Sequence, residues 1–326
     1  LAMSEIALKK YRSALSHIKR YMTFKKKYFK NYRIAADAYF GLSEYKRALL
    51  NYNIYFKLVP QDKIDIQIFF RIANIYDRLG QYDKAIRYLN KCKKYRNIPK
   101  QDIFFNLAVV YDHKTDYENA LYYLQKTLKI SAKKEKLRAY IGDIYLKMNR
   151  FSEAIEFYKR VLKYSPESQI AAYKIANAYF TQGLLNKSRV YFNKILSFKK
   201  HPKSKKKIIA LAYMRLGDID SIEQNFIKAI SFYQKALKYN NKNTDIKIRL
   251  SRSYILGRYY NKGENLLRKL LVTVTYNKKR SEIYYLMGLL MHRQGYRSRS
   301  IEYLKKSLEL NPSNEATHTL LSNITQ

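Results

Sequence analysis

The chain has 326 residues, of which 47% are hydrophobic, enough to build a core and too many for a disordered tail. Only nine Gly and five Pro interrupt a sequence rich in helix-forming residues, which favours an all-α fold. The 65 Lys and Arg against 25 Asp and Glu give a net charge of +40, and the one Cys excludes an intramolecular disulfide framework.

Taken in chain order, the predicted helices repeat one pattern. Each predicted second helix carries a small residue, and another small residue lies twelve positions earlier, in the first helix. Two such columns indicate helices whose backbones approach closely. The second-helix column is Ala14, Ala48, Ala85, Ala120, Ala154, Ser188, Ala229, Gly263 and Ser300. The first-helix column is Ala2, Ala36, Ala73, Ala108, Gly142, Ala176, Gly217, Ser251 and Gly288. A large residue, such as Tyr52 or Leu304, follows the second-helix column by one turn and is expected to fill the space beside the small residue.

The pattern has a period of 34 residues and resembles the tetratricopeptide repeat family. Each repeat of that family is a pair of antiparallel helices with small residues at positions 8 and 20, a large residue at 24 and often Pro at 32. Pro60, Pro166 and Pro312 occupy the last of these positions, whereas the family's usual Trp is absent throughout. The resemblance implies an all-α, right-handed α-solenoid, a superhelix of antiparallel helix pairs. Full repeats start near Phe29, Ile66, Gln101, Glu135, Gln169, Ala210, Thr244 and Ser281.

These starts divide the chain into successive segments of a single predicted array, 1–326. Residues 1–28 match the tail of a partial first repeat, which indicates either a cut inside a longer solenoid or an irregular first helix. Residues 29–202 hold five full repeats, and 203–209 form an insertion expected to lengthen the next helix or to act as a hinge. Residues 210–314 hold three more repeats, and 315–326 are expected to form a helix that caps the apolar end of the stack.

The sequence offers no catalytic constellation. Its five His are scattered over different repeats without metal-ligand spacing, and it has no phosphate-binding glycine loop, nucleophile elbow or paired-cysteine motif. Cys92 stands where the resemblance places a small residue against the neighbouring helix, so we expect a packed thiol. We therefore expect a protein that is not an enzyme, with no catalytic residue, metal ion or cofactor.

The resemblance implies that the first helix of each pair lines an inner, ligand-binding face. At the positions concerned, the sequence places a mainly apolar stripe beside a stripe of acids and amides. The candidate residues of a partner-binding groove are Phe70, Asn74, Asp77, Phe105, Asp112, Asp143, Tyr173, Asn177, Met214 and Asp218. Because carboxylates repel phosphates, a peptide or helix with apolar anchors and basic or amide-rich flanks fits better than nucleic acid. The alternative is that neighbouring helices cover the aromatic residues and that the Asp residues pair locally with Lys.

Basic residues concentrate on the second helices and the connections. The predicted basic outer patch consists of Lys199, Lys200, Lys203, Lys205, Lys206 and Lys207. Such a patch fits acidic lipid headgroups in a peripheral membrane contact, an acidic protein or RNA. The charge has a second explanation, since abundant Lys, Asn, Ile and Tyr are typical of AT-rich genomes and leave the charge spread over solvated faces.

The sequence thus predicts a non-enzymatic scaffold for protein–protein interaction. Related arrays often organise envelope, secretion or flagellar machinery, so a larger bacterial assembly is expected. The alternative is an RNA-binding helical-repeat protein that uses the basic outer surface. No apolar run is long enough to cross a bilayer. Leu1-Ala2-Met3 does not resemble a natural start, so we expect that a signal peptide or membrane anchor could precede it in the full protein. The compartment therefore stays open between the bacterial cytoplasm and a periplasmic or membrane-associated complex.

Overall fold

The structure, a computed structural model, describes residues 2–25, 28–95, 98–198 and 206–326. Within these ranges the regular structure consists of nineteen α-helices and one short 3₁₀ helix, without a strand. Successive helices pack pairwise as hairpins, so the predicted all-α class and paired-helix repeat are confirmed. The chain divides into two compact units, unit 1 (Leu1–Arg150) and unit 2 (Phe151–Gln326).

Unit 1 contains the first nine α-helices and the 3₁₀ helix, Gln61–Lys63. The α-helices are α1 (Ala2–Ala7), α2 (Tyr11–Phe24), α3 (Phe29–Gly41), α4 (Tyr45–Leu58), α5 (Gln67–Arg78), α6 (Tyr82–Cys92), α7 (Lys100–His113), α8 (Tyr117–Ile130) and α9 (Lys134–Lys147). From α3 onwards, odd-numbered helices of this unit are the first helices of repeats and even-numbered helices are the second helices.

Unit 2 contains the remaining ten helices. They are α10 (Phe151–Tyr164), α11 (Gln169–Thr181), α12 (Leu185–Ser197), α13 (Lys206–Ile222), α14 (Phe226–Tyr239), α15 (Thr244–Leu256), α16 (Tyr260–Thr273), α17 (Asn277–Arg293), α18 (Arg297–Leu310) and α19 (Glu315–Thr325). Helix α13 includes the last part of the predicted insertion, 206–209, while 203–205 lie outside the described residues. Helix α19 follows the last hairpin and packs against α17 and α18. That the chain forms a single array with a hinge at 203–209 stays a prediction.

The small-residue columns lie where the two helices of a hairpin come closest. The Ser188 hydroxyl of α12 donates to the backbone carbonyl of Ala176 at 2.9 Å, a contact between two small-column positions of facing helices. A Cβ atom added to Gly217 would lie 2.7 Å from the ring of Tyr233, well inside van der Waals contact. Large residues therefore do fill the space beside small ones, as the spacing predicts.

Each hairpin turns on a residue in the left-handed region of the backbone. Three of these residues are Gly and six are not, namely Lys9, Ser43, Thr115, Asn149, Gln224 and Arg258, with φ between 57° and 65°. At Ser43, for example, the next two N–H groups return to the last turn of α3: Ser43 N donates to Phe40 O and Glu44 N to Tyr39 O. These two bonds define a Schellman motif, which ends the first helix at the same place in every repeat.

Candidate functional site

The acidic stripe predicted on the first helices is occupied by basic side chains from the following repeat. Each carboxylate lies on one first helix, and its partner lies on the next first helix along the chain. The pairs are Asp37–Arg71, Asp77–His113 and Asp112–Lys147 in unit 1, and Asp218–Arg249 in unit 2. The sequence left open that the Asp residues pair locally with Lys; in the structure the partners come from the following repeat, and one of the four is a Lys. Asp37, Asp112 and Asp218 therefore already have a cationic partner within the chain.

Two of the carboxylates also belong to triads that recur at the same repeat positions. In each triad a buried tyrosine of the second helix donates its hydroxyl to the Asp, at 2.5 Å in unit 1 and 2.8 Å in unit 2. Burial, reinforced by the adjacent carboxylate, raises the pKa of both tyrosines, so each phenol stays protonated and keeps donating. The unit 1 triad is Asp37–Tyr52–Arg71, and the unit 2 triad is Asp218–Tyr233–Arg249.

The triads differ in how many cations surround the Asp. In unit 2, Arg215 places Nη1 3.1 Å from Asp218 Oδ2 in addition to the Arg249 contact. In unit 1, Arg33 is the second cation, and its Nε lies 3.9 Å from Asp37. Arg33 instead makes its short contact, 2.6 Å, with Asp65. The unit 2 carboxylate is thus held by two close guanidinium groups and the unit 1 carboxylate by one.

Beside the unit 1 triad lies the unit 1 cavity, of about 390 Å³. Its lining residues are Phe40, Gln67, Phe70, Arg71, Asn74, Asp102 and Asn106. Asn74 accepts a hydrogen bond from Arg78 Nε at 2.9 Å, and Asn106 donates to the backbone carbonyl of Asp102 at 2.8 Å. The Asp102 carboxylate makes no ion pair with any residue that the structure describes. Apolar rings and amides dominate this cavity.

Beside the unit 2 triad lies the unit 2 cavity, of about 530 Å³. It is lined by Phe180, Arg215, Asp218, Ser221, Ile222, Tyr233, Asp245, Ile248, Arg249, Arg252, Leu256 and Glu282. Three arginines and three carboxylates stand among these residues, over an apolar floor of Ile248, Leu256 and Phe180. Guanidinium and carboxylate groups dominate this cavity.

The two cavities share several repeat positions, although residues of three repeats line the unit 1 cavity and residues of four repeats line the unit 2 cavity. Counting from the repeat starts, the unit 1 residue and its unit 2 equivalent pair as Gln67 with Asp245, Phe70 with Ile248, Arg71 with Arg249, Asn74 with Arg252, and Asp102 with Glu282. One position therefore keeps its arginine, one an apolar residue and one a carboxylate, and two change charge: Gln67 against Asp245 and Asn74 against Arg252.

Three of the predicted groove residues line the cavities: Phe70 and Asn74 in unit 1, and Asp218 in unit 2. Asp77 and Asp112 are engaged in the pairs described above. Asp143, on α9, is partly buried. That these residues contact a partner stays a prediction.

The remaining predicted groove residues lie outside the two cavities. Phe105 is 39% exposed and packs edge-on against Tyr140. Tyr173 is partly covered by the ring of Phe192, and Asn177 keeps a buried Oδ1 without a hydrogen-bond donor among the described residues. Met214 is 7% exposed and belongs to the core of unit 2, which leaves little of its side chain for a ligand.

Cys92 and two of the histidines are engaged within the chain. Cys92 is fully buried, and burial raises the pKa of its thiol to about 11, which disfavours the reactive thiolate. His113 pairs with Asp77, and His17 with Glu5. In the described ranges, no three His, Cys, Asp or Glu side chains come together as a metal site, and no helix has the length and hydropathy to cross a bilayer.

Of the predicted basic outer patch, Lys199, Lys200, Lys203 and Lys205 lie outside the described residues. Lys206 and Lys207 are exposed in the first turn of α13. The patch as a whole stays a prediction.

Comparison with protein families identifies the repeat. A model described as tetratricopeptide repeat matches residues 66–98, 210–243 and 281–314, and a model described as TPR repeat matches 142–183. Three of these matches begin at Ile66, Ala210 and Ser281, which are predicted repeat starts. The chain belongs to the tetratricopeptide repeat family.

Solved structures of tetratricopeptide repeat (TPR) proteins share the fold at low sequence identity. The C-terminal part of a TPR repeat-containing protein from Cytophaga hutchinsonii is 18% identical, with a TM-score of 0.65 over 76% of this chain and 98% of that one. A tetratricopeptide repeat protein from Parabacteroides merdae is 15% identical, with a TM-score of 0.55 over 80% of this chain and 99% of that one. PilW, titled a type IV pilus biogenesis factor, is 21% identical, with a TM-score of 0.53 over 68% of this chain and 98% of that one. No curated protein sequence matches the chain.

The cavity-lining arginines of this TPR protein were missed by sequence reasoning, although the sequence carries a signal for some of them. Each triad tyrosine follows its Asp by 15 residues. The triad arginine then falls in the following repeat, 31 residues after its Asp in unit 2. A search for Asp, Tyr and Arg at matched repeat positions would have found Arg71 and Arg249. Arg215 and Arg252 have no such periodic signal.

Proposed function

We propose that this TPR protein is a scaffold, without a catalytic step, that binds a peptide or helical segment of a partner protein on the first helices of its repeats. The observation that carries the proposal is the recurrence of an equivalent cavity in both units, each with an apolar floor and oriented hydrogen-bonding groups. An apolar side chain of the partner would be buried against Phe70 in unit 1 or Phe180 in unit 2. Because stacked helix pairs hold these groups in place before a ligand binds, the scaffold loses little conformational entropy on binding.

Selection of displayed random peptides on the full chain, followed by affinity measurement with the enriched peptides, tests this proposal. We expect Phe70→Ala or Phe180→Ala to weaken binding about tenfold, because each removes an aromatic anchor of a cavity. Leu50→Ala is the matched control, since Leu50 is 60% exposed on α4, a second helix, and lines neither cavity. No enriched peptide, or equal losses for the control and the cavity variants, would contradict the proposal.

We also propose that the partner belongs to a larger bacterial assembly of the envelope, secretion or flagellar type. The support is the fold shared with PilW, which is titled a pilus biogenesis factor. Crosslinking of the chain in its native cells, followed by mass spectrometry, should recover proteins of one such assembly. Recovery of only ribosomal or RNA-processing proteins would favour the second candidate instead.

The second candidate is RNA binding by the outer surface, and the charge of the second helices favours it. Helices α12 and α14 each contain three Lys or Arg and no acidic residue. Titration with single-stranded RNA at rising salt separates the candidates. RNA affinity would fall steeply with ionic strength as counterions compete, whereas a peptide held by an apolar anchor would keep most of its affinity.

A further inference from the structure

We propose that the exposed face of three successive second helices of unit 2, namely α12, α14 and α16, docks on an anionic lipid bilayer. The proposal goes beyond the proposed function, because it concerns the second helices and not the cavities, so peptide binding can succeed or fail independently of it. It follows from the spacing of lysines on these helices, from the absence of acidic partners for them, and from the apolar side chains among them.

Lysines recur on these helices at two positions that share one face. Each helix carries a lysine directly before its small-column residue and a second lysine seven residues later, two turns on and about 10 Å away along the helix. All six lysines are exposed. We call them the lysine face: Lys187 and Lys194 on α12, Lys228 and Lys235 on α14, and Lys262 and Lys269 on α16. No two adjacent second helices of unit 1 carry a basic residue at both positions, so the lysine face is a feature of unit 2.

The ammonium groups of the lysine face have no acidic partners. Helices α12 and α14 contain no acidic residue, and the single acidic residue of α16, Glu264, pairs with Arg268. None of the six lysines makes an ion pair with a residue that the structure describes. The charge of the lysine face is therefore available to an external anion.

The flanking second helices of unit 2 show how the chain neutralises such a position elsewhere. On α10 and α18, the basic residue at the second of the two positions pairs with a Glu four residues before it, one helical turn away. The two pairs are Arg160–Glu156 and Lys306–Glu302. On α12, α14 and α16 the same place holds an uncharged residue, respectively Val190, Ser231 and Asn265. The lysine face thus lacks acids where the helices on either side of it have one.

Exposed aliphatic side chains lie among the lysines. Val190, Ile227 and Val272 are between 64% and 87% exposed, and each stands within three residues of a lysine of the face. Ile227 and Lys228 also line one groove, of about 550 Å³, at the turn that precedes α14. A lysine beside such side chains keeps its ammonium group at the level of lipid headgroups while the aliphatic groups reach the acyl boundary.

These features favour a bilayer over nucleic acid. An anionic leaflet attracts each basic residue near its surface, and apolar side chains that enter the bilayer supply the second signal that stable docking needs. Single-stranded RNA would instead need open aromatic faces on which its bases stack. Beside the lysine face, ammonium groups already occupy a face of the nearby rings, at 5.5 to 5.8 Å from the ring centres: Lys187 over Tyr179, Lys235 over Phe232 and Lys262 over Tyr259.

The test measures sedimentation of the full chain with large vesicles of phosphatidylcholine, alone or in an equal mixture with phosphatidylserine. Binding to the mixed vesicles should be about a hundredfold tighter, because several lysines act on the anionic surface together. The triple variant Val190→Glu, Ser231→Glu and Asn265→Glu gives the three helices the acids that α10 and α18 have, and it should weaken binding to the mixed vesicles about tenfold. Each new Glu lies on an exposed helix surface four residues before a lysine, so the variant is expected to fold, which circular dichroism checks.

The matched control is the triple variant Ser16→Glu, Leu50→Glu and Tyr122→Glu. It makes the same change in net charge at the same exposed position of three second helices of unit 1. Because these helices do not carry the lysine face, the control should bind the mixed vesicles as the unchanged chain does.

A double variant, Ile227→Ser with Val272→Ser, isolates the contribution of the aliphatic side chains. It should weaken binding to the mixed vesicles about tenfold, because less apolar surface enters the bilayer. Unchanged binding would show a surface that attracts any polyanion, which overturns the bilayer as its occupant.

The remaining outcomes also decide the proposal. Equal binding to both kinds of vesicle, binding to neither, or equal losses for the triple variant and its control overturns it. Binding of single-stranded RNA that is lost in the triple variant, without binding to the mixed vesicles, assigns the lysine face to RNA instead. None of these results bears on the peptide selection, which reports on the cavities.

Discussion

The unit 1 and unit 2 cavities share repeat positions, yet their charged groups are paired differently. In unit 1 the Asp102 carboxylate, among amides and rings, has no ion-pair partner in the described part of the chain. Unit 2 has paired carboxylates and surplus guanidinium donors. The repeat places both cavities at equivalent positions, and a few side chains, above all Asn74 against Arg252, give them different charge.

The two triads beside the cavities teach a related point. Both bury an Asp–Tyr hydrogen bond at the same place, but the Asp of unit 2 has a second close arginine and the Asp of unit 1 has not. Arg71 in unit 1 is therefore a nearly exclusive partner, whereas Arg249 in unit 2 shares its role with Arg215. Loss of the triad arginine should therefore destabilise the protein more in unit 1 than in unit 2, where a second arginine remains.

The largest effect is expected from removing the triad arginines. Arg71→Ala should lower the free energy of unfolding by about 2 kcal/mol, because it leaves Asp37, 11% exposed, without a close cation. Arg249→Ala should cost about 1 kcal/mol, because Arg215 remains at 3.1 Å from Asp218. Urea unfolding of the two variants measures the difference. A larger loss for Arg249→Ala would show that the redundancy has no energetic meaning.

The buried tyrosines of the triads predict a loss of stability in alkali. Their pKa is raised in the folded protein above the ordinary value of 10.0, so only the unfolded chain releases these protons just above that pH. Stability is therefore complete below pH 10.0 and falls as pH rises further, by about 1.4 kcal/mol per pH unit for each tyrosine. Urea unfolding at a series of pH values measures the slope. Tyr52→Phe and Tyr233→Phe should each reduce the slope of unfolding free energy against pH by the same amount. An unchanged slope in either variant would show that its tyrosine does not cause the loss of stability in alkali.

The packing between paired helices offers a third comparison, at the first-helix small column. Gly217 in unit 2 occupies the position of Ala36 in unit 1, and each lies in the hairpin of its triad tyrosine. A methyl group on Gly217 would lie 2.7 Å from the Tyr233 ring, and the clash should outweigh the gain in helix propensity, for a net loss of about 1 kcal/mol. Thermal unfolding of Gly217→Ala measures it. No loss of stability would mean that the two helices of the Gly217 hairpin can separate enough to accommodate a methyl group, as the hairpin of Ala36 does.

The fold was predictable because its signals are local and repeat. Small residues twelve apart, such as Ala176 and Ser188, are close in space because a hairpin places them there, and their contact is a hydrogen bond in the structure. The family resemblance, in turn, implied an inner face that includes Phe70 and Asn74; both line the unit 1 cavity, and their contact with a ligand stays a prediction.

The lining of the site was less predictable, because it depends on contacts between side chains 31 to 36 residues apart. Asp77, read as a free carboxylate, meets His113 from the next repeat, and no pattern within one repeat shows this contact. Arg252 stands at a position where five of the other repeats have Asp or Asn, and its contacts in the unit 2 cavity are with Glu282 and Tyr285 of the following repeat. Whether a charged side chain on a first helix is paired therefore depends on the residues of the next repeat as well as on those of its own.

The smallest expected effect concerns the hairpin turns, where the residue type does not mark the left-handed position, since six of the nine described turn residues are not Gly. Thr115 in unit 1 and Gly183 in unit 2 occupy the same turn position, with φ of 64° and 73°. A β-branched residue in the left-handed region is strained, whereas Gly adopts it freely but loses more entropy on folding. Thr115→Gly should therefore raise the free energy of unfolding by about 0.5 kcal/mol, the balance of these two effects. Gly183→Thr should lower it by a similar amount, and since nothing lies within 4 Å of an added Cβ there, a clash of that atom does not contribute to the loss. Chemical unfolding of both variants checks the pair, and a stabilising Gly183→Thr would mean that the entropy lost by Gly outweighs the strain of a β-branched residue in this turn.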